Sequence, residues 1–331
     1  TMSISRCTQN PTMGEEWRRG WHPESIPPKS SDDSVLIIGG GPAGLECARA
    51  LGQRGYSVTL AERTKSLGGR VLLESKLPGM SSYMRVVEHR VAAFKKLSNV
   101  NIYMDSELTT EDIMDFGADH TIIATGSTWK RDGTGRYHRK SVPIKNPSVQ
   151  IYTPDDILAG HQPLSNSVLI YDEDSYIMGG LIAEKLVHEG LNTTLMTPDP
   201  IVSSWTSNTL EQHAIQRQLL NYGVKIITGR NLVAIEKNTV RHACVYTASE
   251  EQITTTSIVL VTSRSSNIKL WEKLKTTMSN KPAQVKNITR IGDSFAPSTI
   301  AQAIYSGHKF ARELGSKNKN PSPYRREQVM V

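Results

Sequence analysis

The 331-residue chain has no apolar run approaching the roughly 20 residues needed to cross a bilayer, so no spanning helix is expected. Thr1 to Asn10 is polar and lacks the apolar stretch of a secretory leader, which makes the cytoplasm the expected compartment. Cysteine is scarce. Cys7, Cys47 and Cys244 form an odd, widely spaced set that argues against a disulfide framework. The net charge is +7, but the basic residues are scattered, apart from short clusters at Lys130–Arg131, Arg136–Lys140 and Arg325–Arg326. Without a basic stripe or a reading motif, nucleic acid is set aside as a partner. What is present is a globular composition, with 37% hydrophobic and 21% charged residues. The length suits two α/β domains, each with its own core.

Residues 1–30 carry Pro11, Pro23, Pro27 and Pro28 and read as irregular. From Ser34 the pattern becomes strand, glycine-rich turn, helix and strand. Val35 to Ile38 is a continuous apolar run, as a central parallel strand buried on both faces requires. Leu45, Ala48 and Leu51 follow at helical spacing with Cys47 among them, and Tyr56 to Leu60 makes the second strand.

Gly39, Gly41 and Gly44 spell GxGxxG at the turn, with Pro42 and Ala43 between the last two. The first glycine allows the tight turn, the second lets backbone approach a pyrophosphate, and the third lets helix and strand pack closely. The pyrophosphate would rest on the helix N-terminus, where free N–H groups and the helix dipole favour negative charge. Glu62 ends the next strand eighteen residues after Gly44. A carboxylate there can accept hydrogen bonds from an adenosine ribose and would repel a 2′-phosphate. Arg63 reads equally as an adenine-stacking residue and as a solvated surface arginine. Gly68–Gly69–Arg70, Ala124–Thr125–Gly126 and Ile291–Gly292–Asp293 add three segments that favour a flavin-type site over a plain NAD site. Asp293 alone also reads as a helix-capping carboxylate. The expected occupant is ADP or FAD.

A second strand–turn–helix–strand unit begins at Ser167. Sliding the first unit onto it by 133 residues pairs Val35 with Val168, Gly39 with Asp172, Gly41 with Asp174, Gly44 with Ile177 and Glu62 with Leu195. Asp172, Glu173 and Asp174 would put negative charge where a pyrophosphate belongs, so this half is expected to be a degenerate NAD(P)-binding-like domain. Gly179–Gly180 reads as a packing contact within a helix. The expected domains are a linker at 1–30, a nucleotide-binding domain at 31–150 and 285–331, and the degenerate domain at 151–284. Cys244 reads as a strand residue.

The segment CTQNPTMGEEWRRGWHPE, Cys7 to Glu24, resembles the trimethylamine, dimethylamine and histamine dehydrogenase family, itself related to the 2,4-dienoyl-CoA reductases. The segments DEDSYIMGGLIAEKL, SWTSNTLEQH and IGDSFAP extend the resemblance over nearly the whole chain. It implies an α/β fold of two Rossmann-like, glutathione-reductase-like domains, with β/β/α and α/β/α layers. It also implies a longer protein, in which an FMN-bearing TIM barrel and a [4Fe–4S] cluster precede this part. Cys7 matches the last of four cluster cysteines. With Thr1 in place of a start methionine, the chain is expected to be a truncated C-terminal part without catalytic residues. The amine dehydrogenases hold ADP where the dienoyl-CoA reductases hold FAD, with Asp293 at the position that binds the ribityl chain in related flavoproteins. Electrons would run from amine to FMN to cluster to an electron-transferring flavoprotein, and the full-length protein would be a homodimer. Two other readings stand beside this one: an FAD-dependent NAD(P)H reductase, and a non-catalytic nucleotide-binding scaffold.

Overall fold

The computed structural model describes residues 5–18, 20–163, 166–280 and 285–316. In chain order, β1 (Ser34–Ile38), α1 (Pro42–Arg54), β2 (Ser57–Ala61), α2 (Arg85–Phe94), β3 (Val100–Tyr103), α3 (Thr110–Phe116) and β4 (His120–Ile123) come first. There follow β5 (Gln150–Tyr152), β6 (Ser167–Asp172), α4 (Met178–His188), β7 (Asn192–Met196), α5 (Gln212–Asn221) and β8 (Lys225–Ile227). The strands β9 (Arg230–Glu236), β10 (Thr239–Cys244), β11 (Glu250–Thr254) and β12 (Ser257–Val261) complete the middle of the chain. The elements α6 (Lys269–Asn280), β13 (Asn287–Arg290) and α7 (Ile300–Glu313) close it.

Local chemistry sets the element ends. Pro42 opens α1, where its missing N–H costs nothing, and Gly55 ends it in the left-handed region at φ 91°. A reciprocal box between Thr109 and Asp112 starts α3.

The described residues form two compact units. The first draws on Met2–Leu72, Ser82–Ser127 and Ser266–Val331, the second on Leu73–Ser81 and Thr128–Ser265. In the first, five strands run in the order β13-β4-β1-β2-β3, all parallel. Helices cover both faces. Leu45 and Leu51 of α1 pack with Ile37 and Ile122 on one side, and Leu274 of α6 packs with Leu36, Ile113 and Ile123 on the other. The chain thus rejoins the first unit at Ser266, ahead of the expected boundary at residue 285, because α6 has its apolar partners there. In the second unit a parallel sheet runs β8-β7-β6-β12-β5. Beside it lies a four-stranded sheet of β11, β10, β9 and the short strand Ile144–Lys145. Both parallel sheets are Rossmann-like, and in each the strand order reverses beside the first strand of its βαβ unit. Nucleotides bind in the crevice outside the carboxyl ends of the strands at such a reversal. Among the described residues, no helix is long and apolar enough to cross a membrane.

Candidate functional site

In the first unit the glycine motif does what its spacing requires. Gly39 sits at φ 110°, and a Cβ there would lie 2.4 Å from the Ala124 carbonyl oxygen. A Cβ on Gly44 would lie 1.9 Å from the Gly39 carbonyl oxygen, so turn and helix touch backbone to backbone. Gly41 differs: a Cβ there would meet nothing within 4 Å. Its Cα faces open space, the room a phosphate needs to approach the backbone. Gly41 is also the N-cap of α1, with no side-chain cap and no acidic residue in the first turn. The N–H groups of Ala43 and Gly44, at the helix's second and third positions, precede the first intrahelical bond, which Leu45 donates to the Gly41 carbonyl.

The other motifs converge on this turn. Gly68 donates its N–H to the Gly40 carbonyl at 2.8 Å, and a Cβ on Gly69 would lie 3.1 Å from the Cα of Gly41. Ala124 donates to the Ile38 carbonyl at 2.8 Å. The Thr125 hydroxyl donates to the Asn267 carbonyl, and the Asn267 amide donates back to the Thr125 carbonyl. Gly126, at φ 74°, accepts from the Asn267 N–H through its carbonyl. Gly292 packs on the helix start, since a Cβ there would lie 2.6 Å from that of Ala43. Asp293 accepts from the Ser127 hydroxyl at 2.8 Å and the Ser298 N–H at 3.1 Å. Arg70 donates to the Ser127 carbonyl at 2.8 Å.

Glu62 is buried at the end of β2. One carboxylate oxygen accepts from the Gly40 N–H at 2.7 Å, the other from the Thr64 N–H and hydroxyl. The oxygen that takes the single Gly40 donor keeps acceptor capacity for a ribose hydroxyl. Gly40, Thr64, Ser127 and Asn267 are not part of the motif; each is an ordinary polar or small residue whose part depends on a neighbour. Arg63 is exposed, with no hydrogen bond or ion pair among the described residues. Cys7 lies apart from the turn. It is a half-buried free thiol whose sulfur accepts the Gln9 N–H at 3.4 Å. No group of three or more metal-ligating side chains occurs among the described residues.

The second unit departs from the gapless alignment in an instructive way. Sheet register pairs Ile38 with Ala61 in the first unit but Tyr171 with Met196 in the second, a span two residues longer. The residue that follows β7 in the place of Glu62 is therefore Thr197, not Leu195. The close-packing glycine survives as well. A Cβ on Gly179 would lie 2.4 Å from Asp172 Oδ2, the same helix-on-turn contact that Gly44 makes with Gly39. The two extra residues lie in the loop before α4, so Ile177 is not the counterpart of Gly44.

The three carboxylates of that loop do not line a repelling mouth. Asp172 is fully buried and accepts from the Ser175 N–H at 3.0 Å. Burial first, then the nearby Asp174, pushes its pKa up to about 8, so it holds its proton at neutral pH. Burial also raises Asp174, although Arg264 and Arg136 oppose the shift. Glu173 turns inward, accepting from the Tyr171 hydroxyl at 2.6 Å and the Tyr137 N–H at 2.8 Å. Residues Gly135 to Tyr137, between β4 and β5, fold over it. A Cβ on Gly135 would lie 2.1 Å from Glu173 Oε2. Arg136 donates to the Glu173 carbonyl and the Ser175 hydroxyl. The loop is closed by its own chain rather than guarded by charge.

Comparison with known proteins agrees with this architecture. Residues 33–146 match the pyridine nucleotide-disulphide oxidoreductase family, and residues 152–276 match the OYE-like second alpha/beta domain. Dimethylamine dehydrogenase of Hyphomicrobium sp. (strain x) is 32% identical over 97% of this chain and 47% of its own length. The solved histamine dehydrogenase from Rhizobium sp. 4-9 superposes with a TM-score of 0.94 at 46% identity, covering all of this chain and 51% of that one. The chain corresponds to the C-terminal part of the dimethylamine/histamine dehydrogenase-like flavoproteins. The 6-hydroxypseudooxynicotine amine oxidase from Pseudomonas geniculata N1 has a TM-score of 0.88 at 38% identity, over 94% of this chain and 46% of that one. The chain thus spans about half the length of these relatives. The two Rossmann-like domains of the flavoprotein family are the two parallel sheets described above.

Proposed function

We propose that the chain is the nucleotide-binding part of an amine dehydrogenase-like oxidoreductase, and that its first unit holds ADP. One observation carries the reading: the uncapped start of α1, whose Gly41 faces open space beside Gly69, with Glu62 at the end of the next strand. A diphosphate would accept from the Ala43 and Gly44 N–H groups, with the ribose donating to Glu62. Arg63, free of partners, would neutralise phosphate or stack on adenine. ADP is preferred to FAD on the likeness to the amine dehydrogenases, since each Asp293 oxygen carries one donor, from Ser127 and Ser298, and keeps room for a ribityl hydroxyl.

The wider activity lies in the longer protein. There FMN would take electrons from a secondary or tertiary amine, and a [4Fe–4S] cluster would pass them to an electron-transferring flavoprotein. The N–H directed at the Cys7 sulfur suits a thiolate ligand, and Cys7 would supply one of the four thiolates such a cluster takes. This chain's own residues would hold the nucleotide and position that thiol. The NAD(P)H reductase reading is disfavoured by the second unit, where Glu173 and the Gly135–Tyr137 segment fill the loop.

Equilibrium dialysis of the 331-residue chain against ADP, FAD and NADH tests the proposal. ADP is expected to bind one to one, FAD more weakly, and NADH not at all in the second unit. Preference for FAD together with one-to-one NADH binding would reverse the order of the two readings.

A further inference from the structure

The helix that opens the nucleotide groove also carries a buried charge cluster one turn further on. Glu46 of α1 is fully buried. Its carboxylate accepts from Arg90 Nε at 2.7 Å and Arg49 Nη2 at 2.6 Å, and lies 2.8 Å from His308 Nδ1. Burial alone would raise its pKa, but His308, Arg49 and Arg90 hold it well below the usual carboxylate range. A fully buried ion pair is costly to build and contributes little net stability, so its placement asks for another reason.

The partners of this cluster reach the N-terminal segment. Arg90 of α2, also fully buried, sends Nη2 to the Gln9 carbonyl at 3.4 Å, and the Gln9 N–H points to the Cys7 sulfur. His308 of α7 lies 2.9 Å from a Glu24 oxygen and edge-on to Trp21. Arg312 donates to the carbonyls of Gly20 and Ser25. Next to His308, α7 presses on the first turn of α1, since a Cβ on Gly307 would lie 2.2 Å from the Ala43 carbonyl oxygen. Whatever binds the N–H groups of Ala43 and Gly44 therefore loads the same two helices that clasp the segment bearing Cys7.

We propose that Glu46 and Arg90 are positioning residues that couple occupancy of the nucleotide groove to the placement of Cys7. The inference rests on the reading of that groove as an ADP site. Bound ADP holds α1 and α7 in place, and Arg90 transmits this to Gln9 and the thiol. Linkage makes the effect reciprocal: fixing Cys7 tightens ADP by the same factor. A nucleotide that transfers no electrons thereby gains a task in an electron-transfer protein.

The test is the rate at which iodoacetamide alkylates Cys7, read by mass spectrometry with and without saturating ADP. The chain carries Cys244→Ser, because Thr247 hydrogen bonds lower the Cys244 thiol to about 7 and it would compete. Cys47 is buried. ADP is expected to slow alkylation at least about fivefold. In Glu46→Gln/Arg90→Met, which removes both charges together, ADP should still bind by dialysis while the protection disappears. Arg90→Lys keeps the charge but loses the second arm to Gln9, and is expected to keep only part of the protection. Full protection in either variant overturns the proposal. If the double variant does not fold, Arg90→Lys decides alone. No ADP binding to the parent chain, seen separately in the dialysis, overturns the groove assignment and this coupling with it.

Discussion

Asp172 and Gly179 meet side chain to backbone where Gly39 and Gly44 meet backbone to backbone. The contact is the same, helix start against strand end, but in the second unit a carboxyl group makes it in place of backbone. The first turn is open at Gly41, whereas the second is closed by Glu173 and the Gly135–Tyr137 segment, and several consequences can be measured.

Gly41→Val should leave the first unit folded and abolish ADP binding. The position has φ −77°, which valine adopts, and its Cβ meets no protein atom. Thermal melting should stay close to that of the parent, while affinity in dialysis falls by at least about a hundredfold, roughly 2.8 kcal/mol. Unchanged ADP affinity would remove the groove from consideration.

Gly44→Ala should do the opposite in order of cause. Its methyl group would collide with the Gly39 carbonyl, a backbone atom that cannot swing aside. A loss of about 1–3 kcal/mol from overpacking is expected in urea melts, with ADP affinity lost as a result. A variant as stable as the parent would show that α1 can shift away from the turn.

Glu62→Gln keeps the shape but puts an amide where three donors point, those of Gly40 and of the Thr64 N–H and hydroxyl. ADP affinity should fall by about 1–3 kcal/mol, since a buried donor is left unpaired. Equal calorimetric affinities for the two proteins would exclude Glu62 as a ribose acceptor.

Asp172 gives the second unit a pH dependence. It holds its proton when folded up to a pKa of about 8, whereas an unfolded aspartate releases it near 3.9. The folded state binds the extra proton across that window, so stability falls as pH rises from about 4 to about 8. Asp172→Asn preserves the protonated shape and should flatten this decline, with a gain on the order of 1–3 kcal/mol at pH 8. A variant whose melting temperature follows the parent's pH profile would mean that Asp172 is ionised in the folded chain.

NADH should not bind through the β6–α4 loop. Calorimetry with the first groove saturated by ADP isolates the second unit. One-to-one binding that Asp174→Arg abolishes would show that the Gly135–Tyr137 segment opens and that Glu173 can be displaced.

The sequence by itself determined the first turn, because its demands are local. Gly39, Gly126 and Gly292 sit at φ 110°, 74° and 59°, conformations that favour glycine at the place where they occur. Likewise Val35 to Ile38 is buried on both faces, and only a continuous apolar run satisfies that. Tertiary structure alone decided the second turn. A gapless comparison put Leu195 and Ile177 at positions that sheet register and close packing give to Thr197 and Gly179, since two added residues leave no mark until the strands pair. Nor do residue types reveal that Glu173 faces inward or that Asp172 keeps its proton. Those outcomes depend on donors brought from Tyr137 and Tyr171 and on the water that folding removes. The same holds for Arg90 and Glu46, separated by 44 positions and joined only when α1 and α2 pack. Charge state and long-range pairing are properties of the assembled surroundings, and no single segment carries them.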